Sequence, residues 1–128
     1  DEHTSRGLGD VYKRQHEYCL VFSKDSMKNS SGGKSTIQKE EFMESTLSIW
    51  NISPEKAKRI GHPAPFPVEL PKKFINLYSF KEDLILDPFI GSGTTAVASK
   101  ILGRNYVGYE INKEYIKLAD RRLKIETN

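Results

Sequence analysis

Asp87-Pro88-Phe89-Ile90-Gly91-Ser92-Gly93-Thr94-Thr95 is the stretch whose reading fixes the fold. Just before it stands Leu84-Ile85-Leu86, a short branched apolar run that reads as a buried strand. After it, residues 94–102 are rich in alanine and predict a helix that Gly103 closes. Residues 105–109 read as a second strand. Asn112 then caps a last helix over 113–125, with Ile116, Ala119 and Leu123 on one face. Strand, glycine loop, helix and strand in so short a span make a βαβ unit. That unit implies a parallel sheet in an α/β fold.

The loop also carries chemistry. Gly91 and Gly93 let the backbone turn sharply, and without a Cβ they admit a ligand close to it. The helix that opens at Thr94 directs free N–H groups and the positive end of its dipole at that ligand. Glu110 ends the next strand, 23 residues after Asp87, where a carboxylate can accept from both hydroxyls of a ribose. The combination predicts an adenosine-type ligand. A dinucleotide site usually carries a third glycine where this chain has Ala96. Alanine is tolerated there, so a nicotinamide-dependent oxidoreductase is weakened as an alternative but stays open. A ligand bearing an ammonium and a carboxylate in place of phosphates suits Asp87, and S-adenosylmethionine is such a ligand.

Upstream the pattern is looser. Residues 17–22 are aromatic and branched and read as a strand. Residues 24–35 form a polar loop, and Thr36 caps a short helix through 45. Residues 47–52, with Trp50, read as a short extended piece. Ser53-Pro54 opens a short helix to 59 that Gly61 stops. Residues 62–67 hold three prolines and predict a rigid extended loop. A helix over 68–79 follows, with Pro71 in its first turn and Leu70, Phe74, Ile75, Leu77 and Tyr78 on one face. Residues 1–16 are polar, contain Gly7 and Gly9, show no apolar period, and read as a non-native or disordered stretch.

At 128 residues the chain is one domain's worth, and a 37% apolar content supports a modest core. Twenty basic against seventeen acidic side chains give +3, which tolerates an anionic partner without demanding one. The longest apolar run, residues 18–22, is far too short to span a membrane. A single cysteine, Cys19, excludes an internal disulfide and a cysteine-based zinc cluster. The default expectation is a soluble cytoplasmic protein with no membrane contact. Gly33-Lys34-Ser35-Thr36 ends like a phosphate-binding loop, but the glycine required five residues before Gly33 is Lys28.

With these residues laid out, the chain resembles the C-terminal part of a bacterial site-specific DNA amino-methyltransferase. The resemblance runs through His62-Pro63-Ala64-Pro65-Phe66-Pro67, the Asp87–Thr95 loop, and Gly103-Arg104-Asn105-Tyr106 followed by Gly108-Tyr109-Glu110. It covers about residues 17–123 and is closest to the permuted branch, in which the catalytic half comes first and the cofactor half last. It implies a partial methyltransferase-type Rossmann fold. It also implies S-adenosylmethionine as cofactor and methylation of an exocyclic amine of adenine or cytosine in double-stranded DNA. A restriction endonuclease is a further partner that the family allows.

Carried over by position, His62, Pro63, Ala64 and Phe66 would line the methionine end of the cofactor. Phe66 stands where other members often carry Lys. Asp87, Phe89, Gly91 and Gly93 would lie beneath the methionine and ribose, with Thr94 opening the helix. Glu110 would bind the ribose, and Ile111 would pack on the adenine. Residues 61–128 then form the cofactor-binding unit, and 24–60 is the candidate DNA-facing insert; its Lys24, Lys28, Lys34 and Lys39 are interleaved with Asp25, Glu40, Glu41 and Glu44, so a solvated loop is the alternative reading of them. The family's catalytic motif, Asp or Ser, then Pro-Pro, then Tyr or Phe, has no counterpart, because the chain holds no Pro-Pro pair. No catalytic residue is therefore assigned. The alternative reading is a non-catalytic cofactor-binding fragment.

Overall fold

The computed structural model describes residues 17–26, 28, 32–53 and 67–127. Along them run α1 (Lys39–Ser45), α2 (Glu69–Tyr78), β1 (Leu84–Asp87), α3 (Thr94–Ile101), β2 (Asn105–Gly108) and α4 (Lys113–Glu126). The two strands are parallel neighbours: Leu84 lies opposite Asn105, Ile85 opposite Tyr106, Leu86 opposite Val107, and Asp87 opposite Gly108. Helix α3 is the crossover between them, so the expected βαβ unit forms.

The packing centres on α3, which touches α2, α4 and β2. Its sequence permits this, because Ala96, Val97, Ala98 and Ser99 are all buried and three of them are small. Small side chains let neighbouring elements approach without leaving voids. The buried Ser99 hydroxyl donates to the Thr95 carbonyl at 2.8 Å, so it costs little. At the other end the helix closes on Gly103 at φ +70. There the Gly103 N–H donates to the Lys100 carbonyl at 3.1 Å and the Arg104 N–H to the Ser99 carbonyl at 2.8 Å. This is a Schellman motif, and it needs the left-handed residue that glycine supplies.

Helix α2 tolerates Pro71 because its third position has no intrahelical N–H bond to lose. Ile75 is its main buried apolar residue. The Trp50 ring meets Phe74 with centroids 5.0 Å apart, and Trp50 Nε1 donates to the Ser45 carbonyl at 3.1 Å. Together these contacts fasten the end of α1 to α2. Asn112 caps α4 as expected, its Oδ1 accepting from the Glu114 N–H at 2.9 Å.

Several expectations change. Residues 17–22 are not in the sheet, which has only β1 and β2 among the described residues. Tyr18, Leu20 and Phe22 are exposed there. A strand exists only where a neighbour takes its backbone N–H and C=O groups, and none of the described residues does so. Thr36 does not cap α1, which begins at Lys39; its hydroxyl donates instead to Asn76 Oδ1 at 3.1 Å. β1 is only half covered: Ile85 and Asp87 are partly buried, while Leu84 and Leu86 stay open. Side chains alternate along a strand, and the described helices shelter one face of it. In α4 the buried face is Ala119 with Arg122, and Ile116 lies at its exposed rim. The helix expected from 54 to 59 and the proline loop fall outside the described residues, apart from Pro67.

None of the described helices is long and apolar enough to cross a membrane. Among the described residues, no cluster of His, Cys, Asp and Glu could hold a metal ion.

Candidate functional site

β1 delivers Asp87 to the mouth of the glycine loop, and its carboxylate closes the loop on itself. Oδ1 accepts from the Phe89 N–H at 2.9 Å, and Oδ2 accepts from the Thr95 hydroxyl at 2.6 Å. One ionised side chain thus joins the loop's entry to the first turn of α3 by two charge-assisted bonds. A second pair of bonds ties the loop to β2. The Tyr109 N–H donates to the Asp87 carbonyl, and the Ile90 N–H donates to the Tyr109 carbonyl, each at 3.1 Å.

Gly91 and Gly93 take φ values of +53° and +82°, in the left-handed region that glycine enters freely. Their reasons differ from the sequence expectation in one respect. A Cβ on Gly93 would lie 2.7 Å from Ala119 Cβ and 3.0 Å from Ala119 Cα. Gly93 is therefore demanded by α4, which packs against the loop, as well as by the turn. Gly108, at the end of β2, is demanded in the same way by Ile90.

Arg122 reaches this loop from α4. Its Nη1 donates to the Ser92 carbonyl at 3.1 Å, to Ser92 Oγ at 3.2 Å and to Thr94 Oγ1 at 2.9 Å. Its Nε donates to Glu126 Oε1 at 2.9 Å. Ser92, Thr94 and Arg122 are all buried. The Thr94 hydroxyl thus serves the protein interior. Pattern reading missed Arg122, because an arginine in a charged helix reads as solvent-facing. Its one sequence signal is its position three residues after Ala119, on the same helical face.

At the end of β2, Glu110 is half-buried, with Oε1 accepting from the Asn112 N–H at 2.7 Å. Among the described residues nothing bonds its Oε2. Phe89 and Ile111 are almost wholly exposed, at 86% and 100%, so both present apolar surface free for a ligand. The structure brings Asp87, Phe89, Gly91, Gly93, Thr94 and Glu110 to the carboxyl end of the sheet, with Ile111 following. That is where ligands bind in open α/β sheets. His62, Pro63, Ala64 and Phe66 lie outside the described residues. A cavity of about 680 Å³ is a separate feature lined by Trp50, Phe74, Tyr78, Ser45 and Pro67 among others.

A second buried arginine stands away from the loop. Arg104 donates to Thr36 Oγ1, to the Leu102 and Ser79 carbonyls and to Ser79 Oγ. Burial pushes its guanidinium below the usual arginine value, and the Asp83 carboxylate works against that shift.

A profile for DNA methylases matches residues 2–121. The Type II methyltransferase M.MthZI of Methanothermobacter thermautotrophicus is 32% identical over 122 residues, covering 85% of this chain and 34% of that protein. The Type II methyltransferase M2.MboI of Moraxella bovis is 39% identical over 113 residues, covering 88% of this chain and 39% of its own length. Among solved structures, a Thermus thermophilus protein assigned as a DNA modification methylase, complexed with S-adenosyl-L-methionine, superposes with a TM-score of 0.67. It is 28% identical, and the match covers 88% of this chain and 49% of that one. The complex of M1.HpyAVI with S-adenosylmethionine superposes with a TM-score of 0.53 at 41% identity, over 57% of this chain and 36% of that one. The chain thus spans about a third of the length of these two Type II relatives.

Proposed function

Because the chain belongs to the DNA methylase family, we propose that it binds S-adenosylmethionine at the loop between β1 and α3. It would thereby supply the cofactor-binding part of an enzyme that methylates an exocyclic amine of adenine or cytosine in DNA. The observation that carries the reading is the joint geometry of the loop and Glu110: two left-handed glycines, Asp87 locking the loop to α3, and a carboxylate with one oxygen spare at the end of the neighbouring strand.

When bound, S-adenosylmethionine would supply an electrophilic sulfonium methyl group for the amine. This chain's residues bind and orient it. Glu110 accepts from the ribose hydroxyls, which are strong bonds because the acceptor is ionised. The first turn of α3 offers N–H donors, and Phe89 and Ile111 offer apolar contact to the sugar and the adenine ring. The residues present fit such a ligand at the rim of the loop, where Phe89 is exposed and Gly91 and Glu110 are half-buried. Holding the methyl donor in one position lowers the entropic part of the barrier. His62, Pro63, Ala64 and Phe66 complete the methionine side in this proposal.

Double-stranded DNA is the proposed macromolecular partner, met through residues 24–60, and the cytoplasm is the proposed location. The Type II relatives extend the proposal to a restriction endonuclease with the same target site. Without a Pro-Pro-aromatic segment, the chain by itself holds the donor and not the acceptor base. Calorimetric titration with S-adenosylhomocysteine and with NAD tests the reading. Binding of the first and not the second supports it. Binding of NAD alone replaces it with a dinucleotide site.

A further inference from the structure

We propose that Arg122 is a positioning residue for the cofactor loop, acting through Ser92 and Thr94 without touching the ligand. The inference rests on the reading of that loop as the S-adenosylmethionine site and adds to it a residue from outside the loop.

Three observations carry it. First, the Arg122 guanidinium is buried at 4% exposure, and a buried charge is costly unless its hydrogen bonds are made. Three of the four bonds described for it end on the loop, at the Ser92 carbonyl, Ser92 Oγ and Thr94 Oγ1. Second, the residue it grips is the one between the two left-handed glycines. Gly91 and Gly93 are the most permissive positions of the loop, and each would sample many conformations if Ser92 were untethered. Holding Ser92 by both its carbonyl and its hydroxyl removes that freedom at one point. A loop already ordered before binding spends less of its binding energy on ordering. Third, the placement runs against helix electrostatics. A cation beside the N-terminus of α3 faces the positive end of that dipole, so the dipole does not explain it. Nor is the side chain placed to satisfy itself, because its buried Nη2 has no hydrogen-bond partner among the described residues. Glu126, bonded to Nε, steadies the side chain on α4.

The test compares Arg122→Met and Arg122→Lys with the parent chain and with Ile75→Val, a core change away from the loop. Amide hydrogen exchange of the ligand-free chain and calorimetry with S-adenosylhomocysteine are the readouts. For Arg122→Met, exchange at amides 91–95 should rise by about tenfold or more, and ligand affinity should fall by about tenfold. Ile75→Val should lower the melting temperature and move neither readout. Arg122→Lys, which restores a cationic donor, should recover part of both; it also carries the test if Arg122→Met fails to fold. Unchanged loop exchange and affinity in the Arg122 variants, despite lost thermal stability, would overturn the proposal and leave Arg122 a packing residue. If the parent chain does not bind S-adenosylhomocysteine, the cofactor reading fails, and the exchange data alone then decide whether Arg122 orders the loop.

Discussion

Arg104 Nη1 donates to the hydroxyl of Thr36, 68 residues earlier in the chain, at 2.5 Å. The same hydroxyl donates onward to Asn76 Oδ1 at 3.1 Å, and Asn76 Nδ2 donates to Glu41 Oε1 at 2.7 Å. A relay of side chains thus joins the start of β2, the segment before α1, α2 and α1 itself. Apolar burial is thin here, and directional polar bonds set how the upstream segment sits on the βαβ unit. Buried networks of this kind specify one arrangement because each partner left unpaired is costly.

Arg104→Met should therefore lower stability by about 2–4 kcal/mol, since it removes every bond the buried guanidinium makes to Thr36, Leu102 and Ser79 and leaves the half-buried Ser79 carbonyl without that donor. Thr36→Val should cost less, about 1 kcal/mol. Urea denaturation followed by tryptophan fluorescence checks both, because Trp50 reports on the α1–α2 contact. Equal midpoints for Arg104→Met and the parent would show that the relay contributes nothing.

Glu110→Ala should weaken S-adenosylhomocysteine binding by at least about tenfold, because each bond to an ionised acceptor is worth about 1.5–3 kcal/mol. Its stability should fall by less than about 1 kcal/mol, the loss of one exposed bond to the Asn112 N–H. Calorimetry showing parental affinity would remove Glu110 from the site.

The two glycines should separate. Gly93→Val should cost about 2–5 kcal/mol of stability, the sum of a forced left-handed conformation and overlap with Ala119. Its loss of binding will then track its loss of folding. Gly91→Ala should cost only about 1–2 kcal/mol from backbone strain, so at low temperature it stays folded and reports on ligand approach. Thermal melts paired with calorimetry distinguish the two cases.

Methyl transfer should be absent from the chain alone. Tritium from labelled S-adenosylmethionine is expected to stay at background on mixed-sequence DNA and to appear when a segment carrying the Pro-Pro-aromatic motif is supplied. Catalysis needs stabilisation of the transition state at the acceptor amine, and no residue here matches that role. Transfer by the chain alone would mean that its catalytic residues lie outside the expected motif.

What the sequence made legible was local. The βαβ unit follows from a short apolar run, two glycines, an alanine-rich helix, and caps at Gly103 and Asn112, all within a few residues of the structure they specify. What it hid depends on partners distant in the chain. Residues 17–22 have strand composition, but strand formation requires a neighbour that no local pattern reveals. Arg122 and Arg104 look like solvated charges until the fold brings Ser92, Thr94, Thr36 and Ser79 against them. Gly93 was legible as a turn residue, whereas its second duty, making room for Ala119, becomes visible only once α4 has docked. The loop and Glu110 could be read, and the arginine that tethers the loop could not.

The uncovered side of the β1–β2 pair has a practical consequence in solution. Leu84 and Leu86 are exposed at 65% and 62%, Val107 adjoins them at 39%, and no third strand flanks either edge among the described residues. Bare edges and apolar side chains of this kind favour sticking between copies. Any copies that sheltered one another's leucines would draw material out of the monomer pool by mass action. A dilution series checks for this before any two variants are ranked: affinity that changes with protein concentration shows the exposed face pairing, and constant affinity shows that it does not.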